Sequence, residues 1–247
     1  MNSVEVLGVR VSCIDKNGIL GIVKDWANAS LPRTILYVNA HCLNHASTDP
    51  EYRSILNRAD LVYADGIGVV YAGRFINHCS LQKITGRDWI WDYCKMAEAI
   101  SISMYILASQ PGVAQKAAGI LLQKQPRLNI LGVTDGYFVN KKEQDILKDI
   151  SLKKPQVVFV GMGTPSQEKW IWKHRSEIAA PVCWSVGALF DYVAGIEPPV
   201  PNWLNSLALE WFWRLLMDPI GKWKRYLLGN PLFILRALKE KYKNKSS

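Results

Sequence analysis

ADLVYADGIGVVYAGR, residues 59–74, reads as a strand, a tight turn and the start of a helix. Leu61–Ala64 is a short apolar run that delivers one carboxylate, Asp65, at its C-terminal end. Gly66 and Gly68 follow at once, and Val69–Ala72 suits a helix packed back on the sheet. Glycine adopts backbone conformations closed to other residues, so the chain can turn sharply beside Asp65. In parallel α/β sheets, ligands bind beyond the carboxyl ends of the strands, which is where this carboxylate falls. An Asp before Gly also makes an ordinary turn or a helix N-cap. On this stretch alone both readings stay open.

The same alternation extends in both directions. Val4–Ile14 alternates like a strand leading into a hairpin or the first helix, and Gly18–Asn28 has helical spacing. Thr34–Asn39 is a β-branched strand, followed by what reads as a polar loop, Ala40–Asp49. Pro50–Ala59 is expected to be a helix capped by Asp49, with proline at its first position. Downstream, helices are expected over Thr85–Ala99, Val113–Lys124, Lys141–Lys153 and Lys169–Glu177, and strands over Met104–Ala108, Leu128–Val133, Gln156–Val160 and Val182–Val186. A last short helix is expected over Leu189–Ala194. Strictly alternating strands and helices imply an α/β fold, a Rossmann-like, mostly parallel sheet flanked by helices. Asn39, Asp65, Ser109, Asp135, Thr164 and Gln167 all follow directly on an expected strand, and so many polar residues on one rim point to a ligand crevice.

Pro198-Pro199-Val200-Pro201 breaks the pattern and divides a core, residues 1–197, from an appendage, residues 198–247. Trp203–Met217 reads as one helix with a narrow polar stripe of Ser206, Glu210 and Arg214; Pro219 ends it, and Pro231–Tyr242 reads as a final basic helix. The appendage holds nine Lys and Arg against three acids, so +6 of the formal +9 lies there, with four of the ten tryptophans. Tryptophan mixed with Lys, Arg and Leu suits an interfacial helix on an anionic membrane, each basic residue adding about 1 kcal/mol. A packing helix with a solvated basic face, with Glu210 and Arg214 as an i,i+4 pair, has the same composition.

At 247 residues the chain can bury a substantial core. Five scattered cysteines without a CxxC pair suit a reducing compartment. The N-terminal stretch lacks a signal-peptide layout, and no apolar run approaches the ~20 residues of a membrane span. A cytoplasmic protein is expected.

Gly161–Gln167 (GMGTPSQ) is the best candidate for phosphate binding, with glycines at a strand-to-helix turn that leads into a helix N-terminus. A tight turn with a cap would look the same. It is not a dinucleotide fingerprint and carries no Walker lysine. No Asp-x-Asp pair occurs, the four histidines form no ligand cluster, and there is no GxSxG elbow, so neither a metal nor a cofactor is expected. A nucleotide-binding oxidoreductase is disfavoured by the missing fingerprint. A basic nucleic-acid-binding module lacks any recognised fold, and no nucleic-acid partner is expected.

Six stretches carry a family resemblance. VNAHCLNHASTDPEYRSILNRADLVYADGIGVVYAGR, ITGRDW, TDGYF, GMGTPSQEKW, SVGALFDYVAG and LALEWFWRLLMDPIGKWKRYL, in this order, resemble the WecG/TagA/CpsF glycosyltransferases. The resemblance implies an inverting, metal-independent enzyme, peripheral on the inner face of the cell membrane, that moves a hexose or N-acetylhexosamine from a UDP-sugar to a polyprenyl-diphosphate-linked saccharide. By position it implies Asp65 as general base and Asn39 and Lys83 as sugar or acceptor contacts. It implies a UDP site that includes Gly161, Gly163, Thr164 and Gln167, with Asp135 and Tyr137 of TDGYF also on substrate. Arg214, Lys222 and Arg225 resemble tail cations that fold over the diphosphate. The sugar, the acceptor, the pathway and assembly into a homo-oligomer are left open.

Overall fold

The computed structural model describes residues 2–245 except 79, 139–142, 202 and 205–208. Its centre is a six-stranded parallel sheet of β3 (Arg33–Val38), β4 (Leu61–Ala64), β5 (Ser103–Ala108), β6 (Asn129–Thr134), β7 (Val157–Gly161) and β8 (Val182–Ser185), in the order β4-β3-β8-β7-β5-β6. The Rossmann-like α/β expectation holds, because strands this apolar must be covered on both faces. Leu36, Val62, Tyr105, Leu107 and Val158 face a core shared with α2 (Ala40–Thr48), α3 (Pro50–Arg58), α4 (Ile67–Asn77), α7 (Glu143–Lys153) and α8 (Ser166–His174). Ile35, Leu61, Ile106, Phe159 and Trp184 face the opposite core, shared with α1 (Lys16–Trp26), α5 (Gly86–Ala99), α6 (Val113–Lys124) and α9 (Leu189–Val193). The alternation is the two-residue period of a strand. In the second core Trp89 stacks on Trp184 with ring centroids 4.0 Å apart.

The structure takes the hairpin alternative at the N-terminal end and departs from expectation elsewhere. Val4–Ile14 is an antiparallel hairpin, β1 (Ser3–Val6) and β2 (Val9–Ser12), because Leu7 and Gly8 both take positive φ, the turn that matches strand twist. The segment expected as a polar loop, Ala40–Asp49, is the helix α2. Asn39 caps it by accepting from the Cys42 N–H at 3.1 Å, and Cys42, Leu43 and Ala46 form a buried stripe. Helical spacing, not overall polarity, decided that segment. Helix α8 starts at Ser166, three residues before the expected start, so Gln167 and Glu168 lie inside its first turn. The expected start of α7 at Lys141 lies outside the described residues.

The appendage is docked on the core. The expected helix Trp203–Met217 is interrupted: Leu209 is non-helical, α10 begins at Glu210 and runs to Met217, and 205–208, including Ser206, lie outside the described residues. Then come α11 (Pro219–Trp223), a π-helical turn (Lys224–Leu228) and α12 (Gly229–Lys245). Phe233 and Ala237 of α12 are buried against α2 and α4. Arg236 donates to the Asn44 carbonyl and side chain, and Glu240 accepts from the Leu7 N–H at 3.1 Å. No described helix is long and apolar enough to cross a membrane.

Candidate active site

Asp65 and Asn39 are neighbours because their strands run in register. Val38 pairs with Ala64, so the next residue of each strand emerges side by side at the carboxyl edge, and the Asp65 N–H donates to the Val38 carbonyl at 2.8 Å. Gly66 then turns the chain into α4 at φ 116°, in the region that favours glycine, with no side-chain cap on that helix. Asp65 is therefore not serving as the N-cap. Its carboxylate accepts from Asn39 Nδ2 at 3.4 Å, while Asn39 Oδ1 caps α2, so one amide fixes both.

A cavity of about 720 Å³ opens in front of this pair. Asn39, Asp65, Lys83, Arg87, Arg214 and Arg225 contribute to its polar wall. Burial pushes the Asp65 carboxyl up to about 6, and the nearby Glu210 adds to this against Arg214, Asn39 and Arg225. A half-buried carboxylate tuned toward neutrality is what proton abstraction at physiological pH requires. His41, also in the wall, is held neutral: burial, the Arg225 charge and His45 lower it to about 4.

The cations are arranged around two carboxylates, Glu210 of the appendage and Glu197 at the end of the core. Glu210 receives Arg87 at 2.7 Å, Arg214 at 3.1 Å and Lys83 at 3.5 Å. Glu197 receives Arg214 at 2.6 Å and Lys222 at 3.0 Å. Burial opposes ionisation of both acids and of the guanidinium. The ion pairs more than offset it, so Glu197 and Glu210 are lowered and Arg214 is raised. Arg225 comes from the π-helical turn, a local geometry often found at functional positions, and has no ion pair among the described residues. The cavity wall thus carries more positive than negative groups, suited to an anion brought in beside Asp65.

The predicted residues divide into two groups. Asn39, Asp65, Lys83, Arg214 and Arg225 meet in the cavity, while Lys222 stands one ion pair behind it on Glu197. Gly161, Gly163, Thr164, Gln167, Asp135 and Tyr137 share the carboxyl edge but do not line this cavity. Gly161 ends β7, where a Cβ would stand 2.5 Å from the Gly187 carbonyl, so its missing side chain serves strand packing. Gly163 takes φ 80° in the turn. Thr164 donates to Glu168, and the fully buried Gln167 donates to Tyr37 and Glu168 and accepts from the Gly187 N–H. Asp135 accepts from the Gly112 N–H at 3.3 Å, and Tyr137 is exposed.

Sequence reasoning missed Arg87 and Glu197, and read Glu210 only as the partner of Arg214. Arg87 left no clear signal: the acid that complements the N-terminus of α5 is its neighbour Asp88, in a capping box with Thr85, and Glu210 lies 123 residues further along the chain.

Comparison with known proteins gives a consistent picture. The sequence model of the Glycosyl transferase WecG/TagA/CpsF family matches residues 4–247. Two curated relatives, from Staphylococcus aureus strains MW2 and NCTC 8325, are each 30% identical over 251 residues, covering 99% of this chain and 95% of the relative. Both are named N-acetylglucosaminyldiphosphoundecaprenol N-acetyl-beta-D-mannosaminyltransferase.

Proposed function

The chain belongs to the WecG/TagA/CpsF family of glycosyl transferases, and from that premise we propose how its cavity performs the transfer. The donor is a UDP-sugar carrying a hexose or N-acetylhexosamine, and the acceptor is a saccharide on a polyprenyl diphosphate. The acceptor hydroxyl gives its proton to Asp65 as its oxygen bonds to the anomeric carbon. The bond from that carbon to the β-phosphate oxygen breaks, and its electron pair leaves with UDP. One displacement inverts the anomeric centre. The observation that carries this reading is the raised Asp65 carboxyl facing Lys83, Arg87, Arg214 and Arg225 across one cavity. Fixed cations of this kind stabilise charge that develops on a leaving diphosphate. The accessible part of the turn, Gly163 and Thr164, is assigned with Asp135 and Tyr137 to the nucleotide end of the donor, and the buried Gln167 holds that turn through Tyr37 and the Gly187 N–H. The oxidoreductase and nucleic-acid readings lose their basis with membership of this family.

The acceptor's lipid requires the enzyme to work at a membrane, which we assign to the inner face. The appendage, residues 198–247, supplies both the contact and part of the site. Exposed Ile220, Trp223, Leu227 and Leu228 lie among Lys222, Lys224 and Arg225, the mixture that favours an anionic interface.

The side-chain cations make a divalent ion unnecessary in this scheme. Among the described residues no group of three His, Cys, Asp or Glu is gathered as metal ligands. Transfer from a UDP-sugar to a short-chain lipid diphosphate acceptor is therefore expected to proceed at an unchanged rate in excess EDTA. Loss of activity that Mg²⁺ or Mn²⁺ restores would contradict the assignment of those cations.

A further inference from the structure

The cavity has a second end, and it is apolar. Helix α4 contributes Tyr71, Ala72 and Phe75, and α12 contributes Phe233, Ile234, Ala237 and Leu238. The spacing places each set on one helical face. The helices approach closely where Gly68 faces Phe233, 3.6 Å from the position a Cβ would take. Phe233 and Ala237 form the buried floor, whereas Tyr71, Phe75, Ile234 and Leu238 remain 58%, 44%, 57% and 37% exposed. The outcome is an open greasy groove continuous with a cation-lined chamber. Lys241 stands at its far end, its ammonium 5.7 Å from the centre of the Phe75 ring.

On the strength of the transfer reaction inferred above, we propose that this groove holds the first isoprene units of the acceptor's polyprenyl chain. A lipid diphosphate is an amphiphile whose charge and hydrocarbon are joined end to end, and the cavity has the same polarity sequence. With its sugar hydroxyl at Asp65, the acceptor meets the apolar stretch between α4 and α12 as a path out of the cavity. The polyprenyl chain covers side chains that are otherwise left in water, and it emerges beside Lys241, a cation suited to the headgroup layer. The exposed Leu235 on α12 does not line the cavity.

The test uses soluble acceptors with one head, N-acetylglucosaminyl diphosphate, and methyl, geranyl or farnesyl tails. They are assayed below micelle-forming concentrations and without vesicles, so that bilayer partitioning cannot contribute. Wild-type kcat/KM is expected to rise roughly tenfold or more from methyl to farnesyl, since each methylene removed from water strengthens binding. In the double variant Ile234→Ser/Leu238→Ser that rise should flatten to about twofold, whereas Leu235→Ser should keep the wild-type slope. The readout is a ratio between acceptors, so a general loss of activity cannot imitate it, and thermal melts confirm that the exposed-site variants fold.

A flat wild-type profile would overturn the proposal and leave the groove as a bilayer patch. A flat profile with self-association that the double variant abolishes would give it to a second copy of the chain. An unchanged slope in the double variant would also overturn it. Failure to glycosylate any of the acceptors would instead remove the transfer reading itself.

Discussion

Asp65→Asn is expected to lower kcat by roughly 10²- to 10⁴-fold, the usual contribution of general-base catalysis. The amide keeps the shape of the turn and can still meet Asn39, but it cannot accept a proton. In the wild type, kcat/KM should fall about tenfold per pH unit as pH drops below about 6, because burial and Glu210 raise the Asp65 carboxyl to that value. That limb should vanish from the residual activity of the variant. The stability consequence has the opposite sign. A carboxyl raised on folding contributes most below its unfolded pKa, and the contribution is lost as pH rises through about 6. At pH 8 the variant should therefore melt no lower than the wild type. Turnover near normal in a folded Asp65→Asn protein would remove Asp65 from the chemistry.

Arg214→Ala is expected to reduce kcat by about 10²-fold, the scale of losing one preorganised charge-stabilising group. The guanidinium bridges Glu197 at 2.6 Å and Glu210 at 3.1 Å. After truncation, Glu197 keeps Lys222, and Glu210 keeps Lys83 and Arg87, so the local fold survives. The site nevertheless loses a positive charge close to Asp65 and to the developing negative charge on UDP. The acid limb should move upward in pH as well, because Arg214 holds the Asp65 carboxyl down against burial. Arg214→Lys should recover only part of the rate, since an ammonium cannot reproduce the planar fork between two carboxylates. Steady-state kinetics across pH on the three proteins check both statements. Wild-type turnover by Arg214→Ala would make this arginine a structural tether for α10.

The strand-turn-helix at Asp65 was legible because each step is local: an apolar run, a carboxylate, a glycine and another apolar run. The sheet was legible for the same reason, since buried parallel strands need unbroken apolar segments. Helix α2 was not, because its exposed face is filled by His, Asn, Ser and Thr, and its buried stripe of Cys42, Leu43 and Ala46 is short. The carboxyl-edge residues were found as a set, but their division was hidden. Whether a polar side chain faces a cavity or is consumed inside the fold depends on partners far away in sequence. Gln167 reaches back to Tyr37, Ser109 donates to Asp191, and Lys83 and Arg87 wait for Glu210. The Glu210–Arg214 pair was visible at i,i+4, whereas its place at the centre of a cation cluster required the appendage to be docked.

The stereochemistry of the product tests the central claim most directly. Wild-type enzyme, an α-linked UDP-sugar and a soluble lipid diphosphate acceptor are combined, and the new glycosidic bond is assigned from its one-bond C–H coupling by NMR. A single displacement with Asp65 as the base predicts the β-linked product. An α-linked product would require a covalent or front-side route that this cavity was not assigned, and would contradict the account.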